Sequence, residues 1–107
     1  MFTAHSAESA YLRERICAFV LRQGAVPVNP WMAGGYFLYG LVDKDEVRRA
    51  NNNLLMRSDE LWVFTDGSGV VADGVQVEIE WAMAHDVPMR SFRLDHYGEA
   101  IHEVSTP

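Results

Sequence analysis

The chain has 107 residues, of which 49% are hydrophobic and 22% charged, and its formal net charge at pH 7 is -6. That length predicts a single domain over residues 1–107. The negative charge argues against polymeric nucleic acid or an anionic membrane surface as a partner, because phosphate repulsion would go uncompensated.

No stretch approaches the ~20 apolar residues that span a bilayer, and the N-terminus lacks the features of a secretory signal. A cytoplasmic location and no membrane partner are therefore expected. The single cysteine, Cys17, allows no internal disulfide and suits a reducing compartment. Its apolar helical surroundings read as an inert core thiol.

Residues 2–4 form a short strand candidate. From Glu8 to Gln23 the pattern is helical, with Tyr11, Leu12, Ile16, Phe19 and Val20 at three- and four-residue spacing. Ser6 or Ser9 can cap this helix and Gly24 can stop it. Residues 25–29, AVPVN, read as a second strand. The segment PWMAGGYFLYGLVDKD follows, carrying Trp31, Tyr36, Phe37 and Tyr39 between glycines. Its aromatic rings either stack on a base or form a hydrophobic interface. Residues 44–57 look helical, and residues 60–65, ELWVFT, are an apolar strand of the kind buried on both faces. A Gly-rich loop leads to a helix over DGVQVEIEWAMA, residues 73–84, and then to a last strand near 88–93. The polar tail is expected to be irregular or a short helix.

Strands alternating with helices predict an α/β fold with a parallel sheet, right-handed crossovers and helices on both faces. Ligands of such sheets bind beyond the carboxyl ends of the strands. Four loops are thereby singled out: His5–Ser9, Asn29–Trp31, Asp66–Asp73 and residues 94–97.

The helix at 73–84 carries two glutamates. Asp73 and Gln76 form a capping-box-like pair, and Gly74 permits close backbone approach. At 100° per residue, Val75, Ile79, Ala82 and Met83 make an apolar stripe. Glu80 falls opposite it, as a solvated charge. Glu78 falls at the stripe's edge, on the side of Trp81 and His85, where its carboxylate would face the crevice. One reading is a boundary charge near a positive helix N-terminus; the other is a nucleophile or general base.

The segment DELWVFTDG…ADGVQVEIEWAMAHDVPMRSF resembles the C-terminal half of the nucleoside 2-deoxyribosyltransferase-like superfamily. Gly74, Glu78 and Ala82 fill that family's Gly-x-x-x-Glu-[Ile/Leu]-x-x-Ala helix pattern, and HDVP fills the turn after it. FTAHSAES is similar to the family's opening strand and first loop, and QGAVPVNPW to its second strand. The likeness is strongest to small, functionally uncharacterised members. It implies a flavodoxin/Rossmann-like three-layer sandwich with a parallel sheet of about four to five strands. It also implies an enzyme that hydrolyses or transfers an N-glycosidic bond of a nucleoside or nucleotide, without metal or organic cofactor. Glu78 inherits the role of nucleophile on the anomeric carbon, following the logic of retaining glycosidases. Homodimers or larger homo-oligomers are implied too. The chain departs from the family pattern at Glu80, where many members have glycine, and at Ala72, where many have Asp or Ser. A non-catalytic nucleoside- or nucleotide-sensing domain of the same fold is the alternative.

The other candidates cluster around this helix. Asp66 is either a turn residue or a second carboxylate that tunes Glu78. His5 and Ser6 end the first strand and either contact the substrate or structure the loop. Asn29 and Trp31 lie after the second strand. Asn51–Asn53 are poor helix formers: either one of them projects into the site, with Asn51 and Asn53 the residues chosen, or the helix breaks there. Asp73 and Gly74 open the glutamate helix. The four histidines lack close ligand spacing, so no metal is expected.

Overall fold

The computed structural model describes residues 1–5, 7–30, 41–66, 71 and 73–105, with side chains omitted at 7, 8, 10, 73 and 97. Four strands form one sheet: β1 (Phe2–Ala4), β2 (Leu61–Thr65), β3 (Met89–Asp95) and β4 (Ala100–Val104). They lie side by side in chain order. β1 and β3 both run parallel to β2, whereas β4 returns antiparallel to β3. Among the described residues the delimited α-helices are α1 (Arg13–Arg22), α2 (Lys44–Met56) and α3 (Asp73–Ala84). The chain is thus α/β with a mostly parallel sheet. No helix among the described residues is long and apolar enough to cross a membrane.

β2 is buried through Leu61, Trp62, Val63 and Phe64, as its unbroken apolar run predicts. Alternation sends Leu61 and Val63 to one face and Trp62 and Phe64 to the other. On the first face they join Phe2, Ala4, Leu55, Val75 and Ala82, with α2 and α3 covering them. On the second they join Leu12, Ile16, Val20, Phe92 and Leu94 under α1. The second face is aromatic. The register sets Phe64 directly beside Phe92, and their rings stack with centroids 5.1 Å apart. Phe19 of α1 meets Phe92 edge-on at 5.2 Å.

Several sequence expectations need correction. The helix expected from Glu8 opens with a 3-10 turn over Ala7–Leu12, and α-helical geometry begins only at Arg13. Leu12, buried under this turn, has no side-chain oxygen to cap α1, and no side-chain cap bond forms there. The second strand shrinks to one parallel bridge, Val28 to Phe2. Pro27 lacks the N–H that a longer ladder needs, and the backbone pairing consists of Val28 N–H to the Met1 carbonyl and Thr3 N–H to the Val28 carbonyl.

The tail opens with a short 3-10 helix, His96–Gly98, as one of the two expectations had it, but the residues after it are extended. His96 and Gly98, with φ of 52° and 81°, turn the chain back on itself after β3, and residues 100–104 pair as β4. Residues 94–97 therefore contribute the end of β3 and the start of a hairpin connection.

Two helix ends are built alike. After α1, Ala25 N–H reaches the Val20 carbonyl at 3.2 Å and Gly24 N–H reaches the Leu21 carbonyl at 3.0 Å. This is a Schellman closure, with Gly24 at φ 83° as the sequence predicts. After α3, Val87 N–H reaches the Ala82 carbonyl at 2.9 Å and Asp86 N–H the Met83 carbonyl at 3.5 Å. There the left-handed position, φ 56°, is occupied by Asp86.

Candidate functional site

The parallel strands bring their carboxyl ends to one edge. β1 ends at Ala4, level with Val63, so His5 follows at the height of Phe64 and Asp66 emerges just after β2. α3 starts at Asp73, after the β2 loop, and carries Glu78 back down beside the sheet.

Glu78 is the chemical centre of this region. The residue is half-buried, yet its Oε2 is fully buried and has no hydrogen-bond partner among the described residues. Loss of solvent around the carboxyl pushes its pKa up to about 8, and the charge of Arg48 on α2 only partly opposes the rise. At neutral pH Glu78 is consequently a neutral acid able to give up a proton. Its orientation differs from the sequence expectation in one detail. Met83, assigned to the apolar stripe, is 63% exposed, while Val75 and Ala82 are buried and Ile79 and Trp81 pack against the same core. The buried arc of α3 is therefore centred on 75, 78, 79 and 82. Seating the Trp81 ring against the core turns Glu78 inward and Met83 outward.

Glu80 is exposed, as its place opposite the stripe predicts, and accepts a hydrogen bond from Gln76 Nε2 at 3.4 Å. That bond runs the Gln76 amide nitrogen along the helix surface toward Glu80. The Asp73 side chain lies outside the described residues. Gly74 is exposed, and among the described residues nothing lies within 4 Å of where its Cβ would stand. Among the described residues, close backbone approach thus does not account for it.

His5 and Asn29 were singled out from separate loops and are brought together. Both are buried, and Asn29 Nδ2 donates to His5 Nε2 at 3.0 Å. This leaves the ring proton on Nδ1 and fixes the imidazole plane. Asp66 is exposed beyond the end of β2. Ser6 and Trp31 lie outside the described residues, as do Tyr36, Phe37 and Tyr39 of the aromatic segment.

The three asparagines of α2 separate. Asn53 is exposed and Asn51 half-buried, but Asn52 has its Oδ1 buried with no partner among the described residues. Arg48, Asn52 and Leu55 recur at four- and three-residue spacing, and Leu55 is fully buried in the core that α3 shares. Arg48 and Asn52 thus lie on the flank of α2 that carries Leu55, and the Arg48 charge acts on Glu78; the sequence reading did not single out Arg48 and chose Asn51 and Asn53 over Asn52. The spacing to Leu55 was the available signal, since it orients the helix and selects Asn52 over its neighbours. The helix also continues through all three asparagines to Met56 without breaking.

Comparison with known proteins gives no matching family model and no significant match among curated proteins.

The site therefore stands on its own chemistry. It offers a protonated carboxyl in a partly apolar wall, a buried amide oxygen with no donor among the described residues, and an exposed guanidinium nearby. Among the described residues, no three His, Cys, Asp or Glu side chains gather as metal ligands would.

Proposed function

We propose that this chain acts on a nucleoside, or a nucleotide, by hydrolysing or transferring its N-glycosidic bond, with Glu78 as the catalytic carboxyl. The observation that carries the reading is the buried, unpartnered Oε2 of Glu78 beside the carboxyl end of a parallel sheet. Burial of an ionisable group without a hydrogen-bond partner costs stability, and such sites are commonly kept for function. The resemblance to nucleoside 2-deoxyribosyltransferase-like proteins supplies the reaction class. A flavodoxin-like three-layer arrangement, a homo-oligomer and a cytoplasmic location belong to the same proposal.

In this reading Glu78 loses its proton and attacks the anomeric carbon as the C–N bond breaks. The departing base takes up a proton, and water or a second base then resolves the glycosyl ester. His5, held by Asn29, lines the end of β1 where the sugar would lie. With a pKa near 8 in the free protein, a nucleophilic Glu78 makes kcat/KM rise through about pH 8.

A second reading is a non-catalytic nucleoside-binding domain. It is favoured by the same proton: a carboxyl held neutral at pH 7 donates a hydrogen bond to a ligand and does not attack it.

Incubation with a panel of nucleosides and nucleotides, followed by chromatography for free base, separates the two. Base release that is abolished in Glu78→Gln, with the fold intact, is the expected result. Measurable binding without release removes the enzyme reading, and release undiminished in Glu78→Gln removes the proposed nucleophile.

A further inference from the structure

A second surface lies on the opposite face of the sheet, away from Glu78. Arg15, Ala18, Phe19 and Arg22 recur along one flank of α1, and with Glu99 and Ile101 they line a groove of about 360 Å³ between α1 and the β4 hairpin. Its floor is apolar through Phe19 and Ile101, both of which pack against the aromatic core. Its polar groups are mostly cationic, in a chain whose net charge is -6. Arg22 makes no ion pair among the described residues, and Arg15 reaches Glu99 only at 4.0 Å, with both side chains more than half exposed. Glu103, the other nearby acid on β4, is already held by Arg90 through two hydrogen bonds of 2.6 and 2.8 Å.

β4 is the last strand of the sheet and pairs only with β3 among the described residues. Its outer row of N–H and C=O groups is therefore open to another strand. The connection at 96–98 keeps this edge close under α1. A Cβ on Gly98 would stand 3.2 Å from Leu12 Cδ2 and 3.3 Å from Arg15 Cδ, so the turn is pressed against the helix.

We propose that the β4 edge and the Arg15–Arg22 flank together form a docking site for an extended acidic segment of a partner protein. The segment adds to the sheet as a fifth strand beside β4. Its side chains on the α1 side recur every ~6.6 Å, so two or three of them span the ~10.5 Å rise between Arg15 and Arg22. Carboxylates at those positions meet the guanidinium groups, and an apolar residue between them covers Phe19 and Ile101. Charge selects the partner and the strand ladder fixes its register.

The test uses three capped heptapeptides and the full chain. One alternates valine with glutamate and one alternates valine with lysine. The third is the glutamate peptide N-methylated on the amides that would face β4. The expected result is binding of the glutamate peptide by calorimetry at least tenfold tighter than either control. Its affinity should weaken as salt is raised, and amide shifts should concentrate at residues 100–104. The Arg15→Glu/Arg22→Glu variant, both positions being exposed, should fold normally and lose this preference for glutamate over lysine. Failure of the glutamate peptide to bind at millimolar concentration overturns the proposal, as does equal binding of the N-methylated peptide. A dimer in solution whose β4 amides are protected without peptide also overturns it, since a second copy would then occupy the edge.

Discussion

The face of the sheet under α1 and the face under α2 and α3 share their strands but bury different things. The α1 face holds Trp62, Phe64 and Phe92 fully buried, with Phe19 set edge-on against all three rings. Arg90 lies over Trp62 at 4.7 Å from its centroid, and among the described residues Trp62 Nε1 is this face's one buried polar atom without a partner. The opposite face holds two oxygens without a partner among the described residues, Glu78 Oε2 and Asn52 Oδ1. One face concentrates cohesive energy, and the other spends part of it on polar groups that the described residues do not satisfy. A 107-residue domain needs the first to tolerate the second, because its total stability is on the order of 5–15 kcal/mol.

Substitutions can break this contrast or sharpen it. The largest effect is expected from Phe92→Ala, which removes the ring shared by Phe19, Trp62 and Phe64. It should cost about 3–5 kcal/mol in urea denaturation, while any fold that survives keeps the pH behaviour of Glu78.

Glu78→Gln should act in the other direction, and only at high pH. The folded-state pKa of about 8 lies above the ordinary 4.5. Between those values the folded chain holds a proton that the unfolded chain has released, so stability falls as pH rises through the window. The loss is complete above pH 8 and absent below 4.5. Denaturation curves for the wild type should weaken by on the order of a few kcal/mol across that range, and those of Glu78→Gln should stay flat.

Asn52→Leu removes the second unsatisfied oxygen at similar volume. A gain of about 1–2 kcal/mol is expected, together with weaker nucleoside binding if the proposed site is correct. Equilibrium denaturation and calorimetry read the two effects separately. The smallest change is Asp86→Gly, which relieves a left-handed backbone at the end of α3. It should add roughly 0.5–1 kcal/mol, measurable as a higher Tm, without altering either face.

The sequence made the order of elements legible where a strong pattern had no competitor. The apolar run of β2 and the limits of α3 are examples, as is Gly24 closing α1. Elsewhere a single residue overruled the pattern. Pro27 cut a plausible strand to one bridge, and the pair His96 and Gly98 converted a tail into a hairpin. Within the site, Glu78 and the pairing of His5 with Asn29 lay at positions that strand ends and helical periodicity select. Asn52 and Arg48 did not stand out, because three successive asparagines carry no sign of which one faces inward. Only the helix rotation fixed by Leu55 decides that. Met83 was misassigned for a related reason: two residues at the edge of a stripe compete for the core, and the bulk of Trp81 decides which is admitted.

The antiparallel return of β4 also bears on how quickly each part of the molecule is made. β3 and β4 are joined by a short turn, whereas β1 must find β2 across about 60 residues, a loop closure costing about 2 kcal/mol more in chain entropy. Refolding should therefore begin in the C-terminal half, with the hairpin and its parallel neighbour, and β1 should join late. Pulse-labelled hydrogen exchange would show this as protection of residues 91–94 before residues 2–4. During synthesis β1 leaves the ribosome well before β2, so the strand of this sheet that is translated first is the last to find its place.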